Sequence, residues 1–317
     1  MTSRIEFDSL GMGKHDLSLP FVQLADGTSL EIPVTVVAGA HAGPRVVVTA
    51  GVHGDEYEGV RAVADLCLEL NPAEVRGVVV LVPCANPPAF AAGTRVSPLD
   101  GVNLNRVCPG DAHGTPSERL AHLLFEQVIT GADALMDLHS GGTRYLFHPQ
   151  AGFYRFPGDL GQRSFDMART FGLDLLWEVP NRAGMCSYEA MRLGVPAFGT
   201  EIGGNGRCER EHVALAKVGV RNVLTHLGLT DGAVEPTPRP RVGRGDFTVC
   251  PAGGLFEPTV ALNEAVRAGQ VLYRVLSLRG EVRYEHRAAH AGLVSAIRIF
   301  GMIGEGEWDI AVLERVE

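Results

Sequence analysis

Three stretches of this chain place groups that can ligate a metal or move a proton beside apolar runs. In Gly51-Val-His53-Gly-Asp-Glu56-Tyr-Glu-Gly59 an imidazole and a carboxylate lie three residues apart. The β-branched run Arg45-Val-Val-Val-Thr-Ala-Gly51 precedes them and helical spacing follows, so a loop there can aim both side chains at one point. Asp137-Leu-His139-Ser-Gly-Gly142 brings a second histidine to the end of another apolar run. Thr200-Glu201-Ile-Gly-Gly204 brings a further carboxylate to the end of a third. Two histidines and one glutamate make the open three-ligand set of a catalytic zinc, with water in the fourth position. A separate glutamate then completes the set as general base. His-x-x-Glu alone recurs by chance, so the weight rests on three polar clusters at the ends of three strands of one sheet.

The elements that must position these groups are legible from periodicity. A short apolar run spans Val34 to Val37, and strands are predicted at Arg45 to Gly51, Val78 to Pro83, Ala132 to His139 and Pro196 to Glu201. Helices are predicted at Tyr57 to Leu70, Arg163 to Phe171, Ser187 to Leu193 and Glu211 to Leu227, with another beginning at Ser117 as its cap. Strands alternating with amphipathic helices indicate an α/β sheet covered on both faces, with ligands gathered outside the carboxyl ends of its strands. After Asp231 the texture changes. The proline-rich stretch VEPTPRPRVGRG reads as a linker, and beyond it short β-like runs are punctuated by glycine. This divides the chain into a catalytic domain, 1–235, and a small all-β domain, 236–317.

Between the first two clusters, Arg95, Asn103, Asn105 and Arg106 fall within twelve residues of a loop with few charges. Arg106 with Asn105 forms a fork plus amide suited to gripping a carboxylate. Arg95 is suited to stabilising the oxyanion that develops on a scissile carbonyl. His148, Arg155, Asn181, Arg182 and Tyr188 fall between the second and third clusters, where specificity residues could lie.

Taken in order, GVHGDEYEG, GTR, NLNR, DLHS and TEIGG resemble the succinylglutamate desuccinylase and aspartoacylase family, over roughly residues 45 to 230. That family is similar in turn to the zinc carboxypeptidases. The resemblance implies a mixed α/β sheet of zinc carboxypeptidase type with helices on both faces. It implies one zinc per subunit held by His53, Glu56 and His139, with Glu201 as general base. Arg95 would polarise the carbonyl, and Asn105 with Arg106 would hold the substrate carboxylate. The implied reaction is hydrolysis of the amide of a small N-acylated amino acid, with the C-terminal β domain narrowing the entrance against polypeptides. A metallocarboxypeptidase for short peptides, or a catalytically silent binding module on the same fold, are the alternatives. The family often carries Asp-Leu-Asn-Arg, its Asp orienting a zinc histidine; here that position is Asn103, whose amide oxygen accepts the same bond but raises ligand basicity less.

Composition bounds the rest. The chain has 317 residues with 37 acidic and 28 basic side chains, a formal net charge of -9, which argues against a nucleic-acid partner. Lysine occurs only at Lys14 and Lys217, so arginine supplies nearly every cation. No apolar leader or membrane-spanning run is present, so a cytoplasmic protein without a membrane partner is expected. The six cysteines show no Cys-x-x-Cys spacing and read as free thiols. A homodimer is the oligomer that the resemblance suggests.

Overall fold

A computed structural model describes residues 5–234 and 239–315. The first part contains β1 (Gly13–Gln23), β2 (Ser29–Ala38), β3 (His41–Ala50), α1 (Tyr57–Glu69), β4 (Arg76–Val82), α2 (Pro87–Ala92) and α3 (Pro116–Leu124). It continues with β5 (Ala134–His139), β6 (Tyr145–Phe153), α4 (Gly158–Phe171), β7 (Leu175–Glu178), α5 (Cys186–Arg192), β8 (Ala197–Gly204) and α6 (Arg210–His226). Beyond residue 240 come only strands. They are β9 (Arg241–Arg244), β10 (Phe247–Val249), β11 (Gly254–Pro258), β12 (Ala265–Val266), β13 (Val271–Leu276), β14 (Val282–Arg287), β15 (Gly292–Arg298), β16 (Met302–Ile303) and β17 (Trp308–Arg315).

The central strands are β-branched because both of their faces are covered. In β3, Val46, Val48 and Ala50 enter one core while Val47 enters the other, the two-residue alternation of a strand. The first core packs α1, α4 and α6 through residues such as Leu66, Met167 and Val220. The opposite core packs α3 and α5 through Leu120, Leu124 and Met191. Each such side chain, fully buried, contributes about 1.5–3 kcal/mol relative to exposure. β4, β3, β5 and β8 run parallel in that order, which delivers the carboxyl ends of β3, β5 and β8 to one edge. The fold is thus a mixed α/β sheet with helices on both faces.

The C-terminal strands are all β, and several extend this sheet. β9 pairs with β7, β17 with β9, β15 with β17 and β15 with β6, so five strands close a circuit with β6–β7. A second sheet, in the order β14-β13-β11-β16, covers its own core of Phe256, Tyr273 and Val275. The expected boundary at 235/236 lies outside the described residues. No helix among the described residues is long and apolar enough to cross a membrane.

Two expectations are corrected. Thr115, not Ser117, caps α3, because Thr115 and Glu118 exchange side-chain bonds with each other's backbone. Ser117 is buried instead and binds Asp100 through its backbone N–H (2.8 Å) and its hydroxyl (2.9 Å). Of the six cysteines expected as free thiols, Cys108 and Cys186 are joined in a disulfide, their Cα atoms 5.3 Å apart. The fold brings the two together across 78 residues of sequence.

The loop after β3 depends on a close approach. A Cβ at Gly54, between His53 and Glu56, would stand 1.9 Å from the carbonyl carbon of Ala89 in α2. Gly54→Ala should therefore cost roughly 1–3 kcal/mol, as overpacking does, and displace both flanking side chains. A lower melting temperature is the expected result; a variant as stable as the parent would contradict it.

Candidate metal centre and substrate cavity

Strand register assembles the site. His139 is the last residue of β5 and lies in register with Glu201 of β8, so the two side chains leave the sheet side by side. His53 and Glu56 lie in the loop between β3 and α1. His53 Nδ1 stands 2.7 Å from Glu56 Oε1, and His139 Nδ1 stands 2.8 Å from Glu56 Oε2. All three side chains are buried, and their ligand atoms lie within 4.8 Å of one another.

The far side of each imidazole fixes what the near side offers. His53 Nε2 lies 3.1 Å from Asn103 Oδ1, which also accepts the backbone N–H of Asn105 at 2.9 Å. That oxygen is an acceptor, so Nε2 is the donor and Nδ1 of a neutral ring keeps its lone pair. His139 Nε2 donates in the same way to Asp137 Oδ2 at 3.0 Å, while Thr49 Oγ1 donates to Asp137 Oδ1 at 2.7 Å. Two ring nitrogens thus face two carboxylate oxygens, a place that either a proton or a metal cation can occupy. Two nitrogens and one carboxylate fit a divalent transition ion of the zinc type.

Electrostatics mark the same point. Burial, and then the Arg95 cation, push the His53 pKa down to about 4. Burial opposes protonation of His139 too, but the Asp137 and Glu56 carboxylates outweigh it and raise its pKa well above the ordinary range. Burial likewise works against the Glu56 carboxylate, yet the two imidazoles hold its pKa well below normal. Glu201 moves the other way. Its burial, and then the neighbouring Glu56 charge, raise its pKa well above that of a free carboxylate, and its Oε2 is buried without a protein partner.

His53, His139, Glu201, Arg95, Asn105 and Arg106 line one cavity of about 830 Å3, measured with its open mouth. Arg95 Nη1 reaches Glu56 Oε1 at 2.9 Å. Asn105 Oδ1 accepts the Cys186 N–H at 2.7 Å, which leaves its Nδ2 for a ligand. Arg106 is pressed by burial, and then by Arg95 and Arg182, down to a pKa of about 10. Six of the seven site residues expected from the sequence thus line one cavity, and the seventh, Glu56, lies behind them.

The remaining candidates divide. Arg182 lines the cavity and pairs with Asp246 at 2.7 Å. His148, Arg155, Asn181 and Tyr188 are not among its lining residues; His148 pairs with Asp174 and Arg155 with Glu178 instead. Sequence reasoning missed Asp137 as the orienter of His139, although it stands two residues away in the same motif. It also missed a wall of Tyr145, Trp177, Asp246, Phe247 and Trp308. Trp308 stacks on Phe247 with ring centroids 5.3 Å apart. Arg95, Arg106 and Arg182 lie 6.0, 5.6 and 5.6 Å from the centre of its ring. Behind it, the fully buried Arg298 donates to the carbonyls of Met302 and Trp308 and to the Tyr145 hydroxyl, and pairs with Glu307.

The amide at Asn103 gives a direct test of the orienting role. Asn103→Ala should weaken the affinity for added Zn2+, used as a probe of this group, roughly ten- to a hundred-fold, and Asn103→Asp should strengthen it. Competition against a chelator measures both; an unchanged affinity in Asn103→Ala would show that His53 needs no such partner.

Residues 42–227 match the family described as the succinylglutamate desuccinylase/aspartoacylase catalytic domain. Over 100% of its length the chain is 33% identical to the N-alpha-acetyl-L-2,4-diaminobutyric acid deacetylase of Halomonas elongata, of which it covers 96%. Its fold is similar to a succinylglutamate desuccinylase/aspartoacylase from Rhodobacter sphaeroides, at 32% identity and a TM-score of 0.89 over 99% of each chain. It is also similar to the product-bound ectoine utilization protein EutE (DoeB) from Ruegeria pomeroyi, at 33% identity and a TM-score of 0.90 over 98% of this chain and 97% of the other. A matched catalytic region and a relative aligned from end to end together establish that the chain belongs to the succinylglutamate desuccinylase/aspartoacylase family.

Proposed function

We propose that this protein is a zinc-dependent deacylase that hydrolyses the amide bond of a small N-acylated amino acid. The observation that carries the reading is the convergence of His53, Glu56 and His139 beside an unpartnered, buried Glu201 oxygen. The similarity to a deacetylase of an N-acetylated diamino acid supports it and makes N-α-acetyl-2,4-diaminobutyrate the first substrate to try.

His53, Glu56 and His139 would hold the ion, which when bound would polarise the acyl carbonyl and acidify a water. Glu201 takes a proton from the attacking water and returns it to the amine nitrogen as the C–N bond breaks. Burial, and then the Glu56 charge, raise its pKa above that of a free carboxylate, the direction that makes it a stronger proton acceptor. Arg95 faces the charge that develops on the carbonyl oxygen. Arg106 and the Asn105 amide hold the substrate carboxylate, so that the acyl group points at Glu201. The C-terminal segment 236–317 supplies Asp246, Phe247 and Trp308 to the cavity wall, which favours compact substrates over polypeptides. The products are a carboxylic acid and a free amino acid.

Glu201→Gln should lower kcat/KM about 10²- to 10⁴-fold, the range of a lost general base, while zinc content stays at one per chain. Chelation should abolish turnover in the parent and added zinc should restore it. Parent-level turnover in Glu201→Gln, or full activity in metal-free protein, would overturn the mechanism.

A further inference from the structure

The three guanidinium groups around Trp308 differ in what neutralises them. Arg95 is held by Glu56 at 2.9 Å, and Arg182 by Asp246 at 2.7 Å. Arg106 donates to the backbone carbonyl of Asn105 at 2.6 Å and has no carboxylate at ion-pair distance among the described residues. Asp246 and Glu201 are the two carboxylates on the cavity lining. Asp246 arrives from the segment between β9 and β10, and the N–H of Phe247 holds its Oδ1 at 2.8 Å, which leaves Oδ2 to Arg182.

We infer that Asp246 sets the charge class of the substrate. By neutralising Arg182 it leaves Arg106 as the one cavity guanidinium open to a carboxylate, so the site takes N-acyl amino acids with a single carboxylate and rejects N-acyl dicarboxylic acids. The inference rests on the deacylase reading above and names its substrate class. A second carboxylate on the substrate would find both remaining guanidinium groups already paired and would face Asp246 itself. A side-chain ammonium meets attraction at the same place, and a neutral side chain meets neither. Selection of this kind works by repulsion of the wrong ligand as much as by contact with the right one. Burial, and then Arg95 and Arg182, lower the Arg106 pKa to about 10; the Asp246 charge, which makes no ion pair with Arg106, opposes them more weakly.

Substrate ratios in the zinc-loaded enzyme test this. The parent, Asp246→Asn and Arg182→Gln are compared on N-acetyl-2,4-diaminobutyrate, N-acetyl-2-aminobutyrate and N-acetylaspartate, which are similar in size and differ in side-chain charge. In the parent, kcat/KM for the cationic substrate should exceed that for N-acetylaspartate by tenfold or more. Asp246→Asn releases Arg182 and should shrink that ratio at least tenfold, chiefly through a lower KM for the dicarboxylate. Arg182→Gln leaves Asp246 unmatched and should widen it. A pair that only braces the wall would move both variants in the same direction, and that result overturns the inference. So does a parent that cleaves N-acetylaspartate as well as the cationic substrate, or a ratio that both substitutions leave unchanged. Should Asp246→Asn fail to fold, the direction of the Arg182→Gln ratio decides alone. A zinc-loaded parent idle on all three substrates overturns the deacylase reading and this inference with it.

Discussion

Two imidazoles are buried against one carboxylate, and three strand ends and the loop after β3 are arranged to hold them there. Water is kept from the contact, because all three side chains are buried. The rings cannot turn away either, since Asn103 and Asp137 hold them from behind at 3.1 and 3.0 Å. Glu56 in turn accepts the Ser140 backbone N–H at 3.2 Å and the Arg95 guanidinium at 2.9 Å, so it too is held. The two apolar cores fix the strands from which these groups leave the sheet. The two rings are not equivalent. A neutral amide backs one and a carboxylate the other, so His139 is the more basic imidazole and His53 the less basic one.

Around that centre the protein concentrates positive charge within an acidic chain. Long-range charge would repel an anion, but a buried guanidinium in a low-dielectric cavity acts at close range, where the sign of the whole surface matters little. Trp308 lets three cations share one place, because its indole face attracts each of them by roughly 0.5–1 kcal/mol or more. Arg298 holds the carbonyl of that tryptophan from behind while itself fully buried. The wall is therefore built outward from a buried cation that does not itself line the cavity.

What could be read from the sequence follows the range of the interactions involved. β3, β5 and β8 are buried on both faces, so their composition is β-branched and apolar and their ends are abrupt. That is why His53, Glu56, His139 and Glu201 could be found without coordinates. β6 escaped notice because Pro149 and Gly152 interrupt its alternation, and β7 because four residues are too few to show a period. Thr115 and Glu118 form a local capping signal that was legible but was assigned two residues late. The wall was not legible. Trp308 and Asp246 reach the cavity only because β15 and β17 fold back onto β6 and β9, and no spacing in the chain encodes that return. The Cys108–Cys186 pairing is of the same kind: it depends on α5 packing beside the loop that carries Asn105 and Arg106.

The five-strand circuit has a consequence for how this molecule can be divided. β9 and β15 hydrogen-bond to β7 and β6, so the C-terminal strands are part of the catalytic sheet as well as its cover. A chain ended before residue 240 would leave the outer side of β7 and the Tyr145–Phe147 end of β6 with unpaired backbone groups. Such bare edges recruit other strands, so excision would give self-association more readily than a soluble miniature enzyme. Exchange of the same region between relatives would have to carry β9, β15 and β17 together, because backbone hydrogen bonds join the strands that bear the cavity wall to the central sheet.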